Sequence, residues 1–349
     1  MLQLKQYVAL LKTGVAEVGA YRTLFPDVKA TVFPIFQARP WPHANHFSLT
    51  IDRIREATAG QPFGFALDAQ RRAHPNPREA QSEFDDLFES HQGHRHFYET
   101  VDSIPGAVPV LIPPTSPDNL LLQIGNAADL DRGLIIHQRR GSAIPLSDLI
   151  LGLPPLPHDT VIVVDAGWSR DYLALEAWSL PTLERILVAL PNSEIVVMSS
   201  SFPDSFSHIV GNMEEMAMER RLFAAMRQRF QQADLTYGDW ASTRPPLSGG
   251  GGNIPSRIDV PKISSWEIFR ADPDNDPGFS EMAWEAQHHP CFASTPDSWG
   301  KQTIAATTDF PGTGVTGLQV ATQARVNIHM TIQSGATSIL PTDEAPYED

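Results

Sequence analysis

The segment Thr160–Trp168 has the sequence TVIVVDAGW, a run of β-branched residues that ends in an acid, two small residues and a tryptophan. A short run that is apolar at every position is typical of a parallel strand buried on both faces. In α/β folds, the polar residues at the carboxyl end of such a strand are where chemistry is usually placed. A helical segment, Leu180–Leu190, and a second apolar run, Glu194–Met198, follow. The segment therefore predicts a β-α-β unit with Asp165 at its functional end.

The same unit recurs along the first 240 residues of the chain. Apolar runs separated by helical segments predict eight strands, at Tyr7–Lys12, Ala30–Phe36, Phe63–Leu67, Ala107–Ile112, Gly133–Ile136, Thr160–Trp168, Glu194–Met198 and Leu235–Trp240. This alternation predicts an α/β fold, a (β/α)8 TIM-like barrel with an insertion before the last helix. The main alternative is an open doubly wound sheet, which usually carries a glycine-rich phosphate-binding turn after its first strand. A single glycine, Gly14, follows the first strand here, and this favours the barrel.

The domain organisation follows from where this alternation stops. We expect four regions: a barrel body at 1–240, a Pro/Gly-rich insertion with extra strands at 241–314, the closing helix of the barrel at 315–335, and an acidic tail at 336–349. Within the body, Met213–Phe230 has the spacing of a long amphipathic helix, and Leu146–Leu153 that of a short one. Within the insertion, Ile254–Arg270 alternates like a strand pair and Glu281–His288 predicts a short helix.

Composition excludes several classes of function. The 349 residues are 42% hydrophobic, which is enough for a large core, and the net charge of −15 argues against general nucleic-acid binding. One cysteine excludes an intramolecular disulfide and a cysteine-based zinc site. The N-terminus has no signal-peptide pattern, and no apolar run approaches the roughly 18 residues that span a bilayer. We therefore expect a cytoplasmic protein that does not enter a membrane.

Acidic side chains at the predicted carboxyl ends of strands are the first candidates for catalysis. Asp165 is the first choice for an acid/base role, with Asp68 and Asp239 as its partners, since paired carboxylates can carry out such chemistry. Each acid has a structural alternative, which is to cap the next helix or to pair with an arginine of the barrel. Lys12 is a candidate for a Schiff-base or phosphate-binding role, and its alternative is an ion pair with Glu17 or an aspartate at the rim.

Basic, amide and aromatic side chains at the same strand ends are candidates for ligand binding. These are Arg39, Gln37, His137, Arg139, Trp168 and Trp240. Arginines bind phosphate or carboxylate in a bidentate manner, and tryptophans stack on sugars or bases, although core packing explains at least one of the tryptophans equally well. The histidine pairs have no Glu or Cys at ligand spacing, so we expect no metal and no cofactor.

The segment Leu10-Leu11-Lys12, the following Gly14 and Glu17, and the strand Phe33-Pro34-Ile35-Phe36 resemble the start of the beta-protein family. The strand that contains Asp165 and the segment Arg325-Val326-Asn327-Ile328-His329 are also similar to this family, whose members occur in phages, prophages and bacterial mobile elements. The resemblance implies a barrel-like fold and a role in phage–host conflict, often beside defence genes.

Two functions from different classes follow as expectations. In the first, the rim of the barrel binds a phosphate- or sugar-bearing ligand, nucleotide-like or sugar-like, and hydrolyses it as part of antiphage defence. In the second, the chain is a non-catalytic recognition module that binds a phage or host protein through its Pro-rich loops and residues 241–314. A homo-oligomer formed through the insertion is a third expectation.

Overall fold

The computed structural model describes residues 4–69, 76–142, 156–245, 254–310 and 312–335. The strands are β1 Tyr7–Lys12, β2 Val32–Ala38, β3 Phe63–Leu67, β4 Ala107–Pro109, β5 Leu134–Arg139, β6 Thr160–Trp168, β7 Glu194–Ser200, β8 Gly211–Met216, β9 Leu235–Asp239, β10 Arg257–Pro261 and β11 Ser265–Arg270. The helices are α1 Val15–Arg22, α2 Pro26–Thr31, α3 Ser48–Thr58, α4 Glu79–Asp86, α5 Arg95–Asp102, α6 Pro117–Leu130, α7 Tyr172–Ala189, α8 Glu219–Arg229, α9 Phe279–His288, α10 Pro290–Ser294, α11 Trp299–Asp309 and α12 Leu318–Gly335. The predicted helix Leu146–Leu153 and the acidic tail 336–349 lie outside the described residues.

Eight parallel strands form one sheet in the order β4-β3-β2-β1-β9-β7-β6-β5. The two edges meet beyond the end of β4, where Val110 bridges Ile135 in parallel and the Leu111 N–H donates to the Ile135 carbonyl at 2.8 Å. The sheet therefore curls until its edges meet, as a barrel requires, and the predicted TIM-like barrel is confirmed. No described helix combines the length and the apolar character needed to cross a lipid bilayer.

Alternate residues of each strand face the inside and the outside of the barrel. The interior is filled by apolar side chains such as Val161 and Val163 of β6, together with Trp240 directly after β9. Their neighbours Ile162 of β6 and Tyr237 of β9 instead pack in the layer between the sheet and the helices. Alternate positions of a strand therefore belong to opposite faces of the sheet. At the end of a strand, a side chain reaches the mouth of the barrel only if its position belongs to the inner face.

The predicted long helix Met213–Phe230 is wrong in its first part. Residues Gly211–Met216 form β8, which pairs antiparallel with β11, and the helix α8 begins only at Glu219. Met and Glu are good helix formers, but the ladder with β11, some 50 residues further along the chain, overrides this local preference. The apolar side chains predicted for the rest of the helix, among them Leu222 and Met226, are buried as expected.

The insertion and the closing helix pack on one another. The predicted strand pair within 254–270 is present as β10 and β11, and with β8 they form a three-stranded antiparallel sheet. The closing helix predicted at 315–335 is α12, which begins three residues later, at Leu318, and ends at Gly335. It packs against α1, α11 and β10.

The segment Arg325–His329 explains how α12 is attached to the barrel. Arg325 pairs with the buried Asp259 of β10 at 2.7 Å, and His329 contacts a carboxylate oxygen of Asp239 at 2.7 Å. Between them, the Asn327 side chain donates to the carbonyl of Ala20 in α1 at 3.0 Å and accepts from a backbone N–H of α11 at 2.9 Å. Alternate residues of one helix thus contact three different parts of the fold.

Gly238 lies where β9 passes closest to its neighbours inside the barrel. A Cβ at this position would lie 2.8 Å from Val196 Cγ1, 2.9 Å from Met198 Cε and 3.0 Å from the carbonyl oxygen of Val8. We expect Gly238→Ala to lower the free energy of unfolding by about 1–3 kcal/mol, because the close-packed interior must shift. Urea denaturation measures this change.

Gly125→Ala in α6 is the matched control for this substitution. No atom lies within 4 Å of a Cβ built there, so the variant should be about 0.5–1 kcal/mol more stable than the wild-type protein. A Gly238→Ala variant as stable as the wild-type protein would contradict the close packing of β9.

Candidate functional site

A pocket opens at the carboxyl ends of β2, β3, β4 and β5. Its volume is about 360 Å³, and its polar lining includes Gln37, Asp68, His137 and Arg139. All four were predicted as site residues from their positions at strand ends. Gln37 and Asp68 are each only 8% exposed, so their side chains lie inside the mouth of the barrel and not on its outer surface.

His137 and Asp165 form a pair at the inner side of this pocket. His137 Nε2 lies 3.0 Å from Asp165 Oδ2, and the two strands that carry them are in register, with His137 beside Val163. Asp165 is fully buried, whereas His137 lines the pocket. His137, and not the carboxylate of Asp165, is therefore the member of the pair that faces the pocket.

Hydrogen-bond donors surround Asp165. Its Oδ1 accepts from the Gly167 N–H at 2.8 Å, and the Trp240 indole N–H lies 3.1 Å from Oδ2 and 3.2 Å from Oδ1. Burial by itself would raise the pKa of Asp165, but the hydrogen bond from His137, the charges of His137 and Arg139, and the Gly167 N–H outweigh it and hold the pKa below its ordinary value. Asp165 is therefore an anion.

The ionised state of Asp165 determines where His137 carries its proton. A carboxylate only accepts, so His137 Nε2 must be the protonated nitrogen that donates to it. In the neutral imidazole Nδ1 then has the free lone pair, and no hydrogen bond to Nδ1 is found in the described ranges. The pair has the arrangement of a histidine base that is oriented by a buried acid.

Arg139 and Arg140 follow one another in sequence but are held differently. The Arg139 guanidinium stacks over the Trp240 ring at 4.2 Å, and its Nε lies 3.8 Å from Asp165 Oδ2. Arg140 donates to the carbonyls of Ala174, at 3.1 Å, and of Trp168, at 3.3 Å. Arg139 thus keeps donors available at the pocket, while Arg140 ties the end of β5 to the start of α7.

Lys12 and Arg39 add positive charge on the side of β1 and β2. Burial lowers the pKa of Lys12, the nearby Arg39 and Arg139 lower it further, and Asp68 and Glu17 oppose the shift. Lys12 is thus within electrostatic reach of two cations and two acids, and Asp165 beside Arg139 is a third acid. The pocket lining itself carries Arg139 and Arg140 against Asp68, and this favours an anionic ligand.

Asp239 does not belong to this pocket, which corrects its predicted place beside Asp68 and Asp165. It lies one residue before Trp240, which faces the barrel interior, so its own side chain points outward into the helix layer. There the carboxylate accepts from the Tyr7 hydroxyl at 2.5 Å, from the Tyr237 hydroxyl at 2.7 Å, and from a backbone N–H. With His329 as a fourth neighbour, Asp239 is a structural residue that connects β1, β9 and α12.

Both tryptophans, which the sequence suggested for stacking, use their indole N–H groups within the fold. Trp240 is buried and covered by Arg139, and its indole N–H is used by Asp165. The Trp168 indole N–H donates to the carbonyl of Phe202 at 2.8 Å, and its ring packs on the apolar interior of the barrel. Both rings close the barrel end beneath the polar rim.

Sequence reasoning missed the role of Gly167. Its φ is +73°, a conformation that side chains with a Cβ rarely adopt, and this turn aims its N–H at the Asp165 carboxylate two residues earlier. An aspartate followed two residues later by glycine is a known signal for such a turn.

The three predicted acids, Asp68, Asp165 and Asp239, do not lie together as ligands for a cation. In the part of the chain that the structure describes, the groups with metal-ligand spacing are Glu267, His289 and Cys291, and His46, Glu79 and Glu83.

The comparisons with known proteins agree with this architecture. The chain matches the family model described as Beta protein over residues 7–335, which runs from the first residue of β1 to the last residue of α12. It is also 24% identical over 337 residues to Protein beta of Enterobacteria phage P4, and the match covers 94% of this chain and 92% of the relative. The family match includes the barrel, the insertion and the closing helix as one unit. The chain therefore belongs to the Beta protein family.

Proposed function

We propose that the rim pocket binds a phosphate-bearing small ligand and hydrolyses it, with His137 as the general base. The observation that carries this proposal is the His137–Asp165 pair, whose neutral imidazole would present Nδ1 as an acceptor to a pocket lined by Arg139, Arg140 and Asp68. Arg139, which lines the pocket, suits phosphate oxygens because guanidinium groups bind them in a bidentate manner, while Arg39 and Lys12 lie near the lining but are not part of it. The ammonium of Lys12 adds a further positive charge.

In the proposed reaction, His137 Nδ1 removes a proton from a water molecule whose oxygen attacks the phosphorus. The bond from phosphorus to the leaving oxygen breaks on the opposite side of the phosphoryl group, where that oxygen takes a proton from solvent, and the imidazolium releases its proton to solvent. Asp165 stabilises the imidazolium while it exists, and the cations of the rim balance the charge on the phosphoryl oxygens. Asp68, which faces the same pocket, would orient the water.

A sugar-cleaving mechanism fits this site less well. Such enzymes place two carboxyl groups about 5–9 Å apart on either side of the scissile bond. Asp165 is fully buried behind His137, and Asp239 lies on the outer face of the barrel. Of the three predicted acids, Asp68 is therefore the one that lines the pocket. The cationic rim also favours phosphate over a neutral sugar.

Arg139→Gln tests the binding step of this proposal. We expect the affinity for inorganic phosphate, measured by isothermal titration calorimetry, to fall by about tenfold or more, because a hydrogen bond to a charged group contributes roughly 1.5–3 kcal/mol. Arg95→Gln, on the exposed surface of α5, is the matched control and should leave the affinity unchanged. Turnover of nitrophenyl phosphates, with nitrophenyl glycosides as the comparison, tests the reaction class. Equal affinity in both variants would contradict the proposed site.

The biological setting that we propose is the cytoplasm during phage–host conflict, where hydrolysis of a phosphate-bearing metabolite would act as an antiphage defence. Similarity to a phage protein supports a phage-related role. A phage challenge of cells that carry the wild-type protein or its His137→Asn variant tests this setting, because only an active site that contributes to defence makes the two strains differ in plaque number.

A second candidate function is recognition of a phage or host protein, and the exposed side chains near β8 favour it. β8 pairs with β11 on one side of the three-stranded sheet, and Met213 and Met216 are 39% and 54% exposed, beside Val210 at 61%. Exposed apolar residues on an edge strand are typical of a protein-binding surface. A partner that His137→Asn retains and Met216→Glu loses in a pull-down would favour this candidate.

A further inference from the structure

Three potential metal ligands converge in the insertion, away from the barrel rim. Glu267 lies in β11, and His289 and Cys291 lie where α9 ends and α10 begins. One ligand atom of each residue lies within 4.8 Å of the other two. The antiparallel pairing of β11 and the sharp turn between the helices bring together residues that are 22 and 24 positions apart.

The carboxylate and the thiol of this cluster are buried. Glu267 is 4% exposed and Cys291 is 6% exposed, whereas the His289 side chain is 34% exposed and faces solvent on one side. His289 Nε2 lies 4.0 Å from Glu267 Oε1. The Phe269 ring packs edge-on against the imidazole at 5.5 Å and limits its rotation. The cluster thus has two fixed ligands inside and a third at its opening.

Glu267 is held in place by two further contacts. Its Oε2 accepts from Lys262 Nζ at 2.7 Å, and its Oε1 accepts from the Asn212 side-chain amide at 2.7 Å. Contacts of this kind are what orients the carboxylate ligand of a metal site. Each carboxylate oxygen has a second lone pair that remains for a cation.

The chemistry of Cys291 depends on whether a cation is bound. The Cys291 sulfur is buried, and it lies within 4.8 Å of a carboxylate oxygen of Glu267. In the described ranges, no hydrogen bond joins this sulfur to another residue. A divalent cation would displace the proton and would be balanced by one thiolate and one carboxylate.

We propose that Glu267, His289 and Cys291 bind a Zn²⁺ ion, against the expectation from the sequence that one cysteine excludes a cysteine-based zinc site. Thiolate, imidazole and carboxylate are the three ligand types of protein zinc sites, and the exposed side of His289 leaves room for water as the fourth ligand. Binding through Nε2 moves the imidazole proton to Nδ1. This breaks the long contact of 3.4 Å in which Nδ1 accepts from the Cys291 N–H. That contact is weak, so its loss opposes binding only slightly.

The second group with suitable spacing provides the matched control. His46, Glu79 and Glu83 lie on the protein surface, where the His46 ring contacts Glu83 at 2.9 Å. This group contains no sulfur and no buried side chain. His46→Ala should therefore leave the binding of a thiophilic metal unchanged.

Titration with Co²⁺ under anaerobic conditions tests the proposal, because a cobalt–thiolate bond gives an intense near-ultraviolet absorption band. We expect the wild-type protein and the His46→Ala variant to bind one equivalent with this band, and Zn²⁺ to abolish it. Cys291→Ser should lose the band, and His289→Ala should bind more than about a hundredfold more weakly, since a lost ligand weakens binding more than a lost supporting contact does.

His289 is partly exposed, so its variant is expected to fold, and far-ultraviolet circular dichroism checks this. The proposal is overturned if the wild-type protein shows no thiolate band, if Cys291→Ser retains it, or if folded His289→Ala binds as tightly as the wild-type protein. The rim pocket does not enter this test, and His137→Asn should bind the metal normally.

Discussion

Asp239→Asn is expected to lower the free energy of unfolding by about 3–5 kcal/mol, the cost of breaking a buried charged network. The carboxylate of Asp239 accepts hydrogen bonds from Tyr7, Tyr237 and the Ala241 N–H, and it also contacts His329. Asparagine has the same shape, but its amide presents two donors where the carboxylate has an acceptor, so at least one buried donor loses its partner. Urea denaturation at neutral pH measures the change.

The same substitution should alter how stability depends on pH. Burial would raise the pKa of Asp239, but the charge and hydrogen bond of His329 and the two tyrosine hydroxyls outweigh it and hold the pKa below its ordinary value of 3.8. A lowered pKa in the folded state means that the contribution to stability is complete above 3.8 and is lost as the pH falls through the folded-state value. The wild-type protein should therefore lose more stability than Asp239→Asn when the pH is lowered below 3.8.

Glu99→Gln provides the control for both measurements. Glu99 pairs with Arg95 on the exposed surface of α5, and its removal should leave stability nearly unchanged. A variant Asp239→Asn that unfolds at the urea concentration of the wild-type protein would show that the network does not stabilise the closed barrel.

His137→Asn should lower the rate of phosphate-ester hydrolysis by about 10²–10⁴-fold, which is the contribution of a positioned general base.

Asp165→Asn should lower the rate of hydrolysis by a similar factor, for a different reason. Gly167 fixes the acceptor oxygen of residue 165, so the new amide would donate towards His137 Nε2 and force the imidazole proton onto Nδ1. The base would then have no lone pair for the water.

Steady-state kinetics of the single and double variants test this assignment. Because the two residues act as one unit, the double variant should be about as slow as the slower single variant. His96→Asn, an exposed histidine of α5, is the matched control and should keep full activity. A double variant whose loss equals the product of the two single losses would show that His137 and Asp165 act independently.

The strands of the barrel could be predicted because each is a continuous apolar run with its own local signal. The strand β8 could not, since the sequence around Met213 has helical spacing and becomes a strand only through its partner β11. The position of Asp239 shows a different limit. Its place at a strand end was evident, but a shift of one residue relative to Trp240 turns the side chain to the outer face.

Local sequence patterns also could not predict which residues contact Asp165. His137 was a candidate on its own, but its contact with Asp165 depends on the register between β5 and β6, which single-strand patterns do not encode. The same holds for Cys291. Its neighbours Glu267 and His289 come from other elements, so the spacing rules for compact metal motifs could not identify them.

The contact between β1 and β9 bears on how the protein is made in the cell. β1 leaves the ribosome before the other strands of the barrel, but its partner at Tyr237 and the helix that reaches Asp239 through His329 are synthesised more than 220 residues later. Until then the nascent chain has an unpaired edge at Tyr7, and such edges attract chaperones or neighbouring chains. Translation that stops before β9 would therefore release an open ring, and translation that stops before α12 would release all eight strands without the contact between His329 and Asp239.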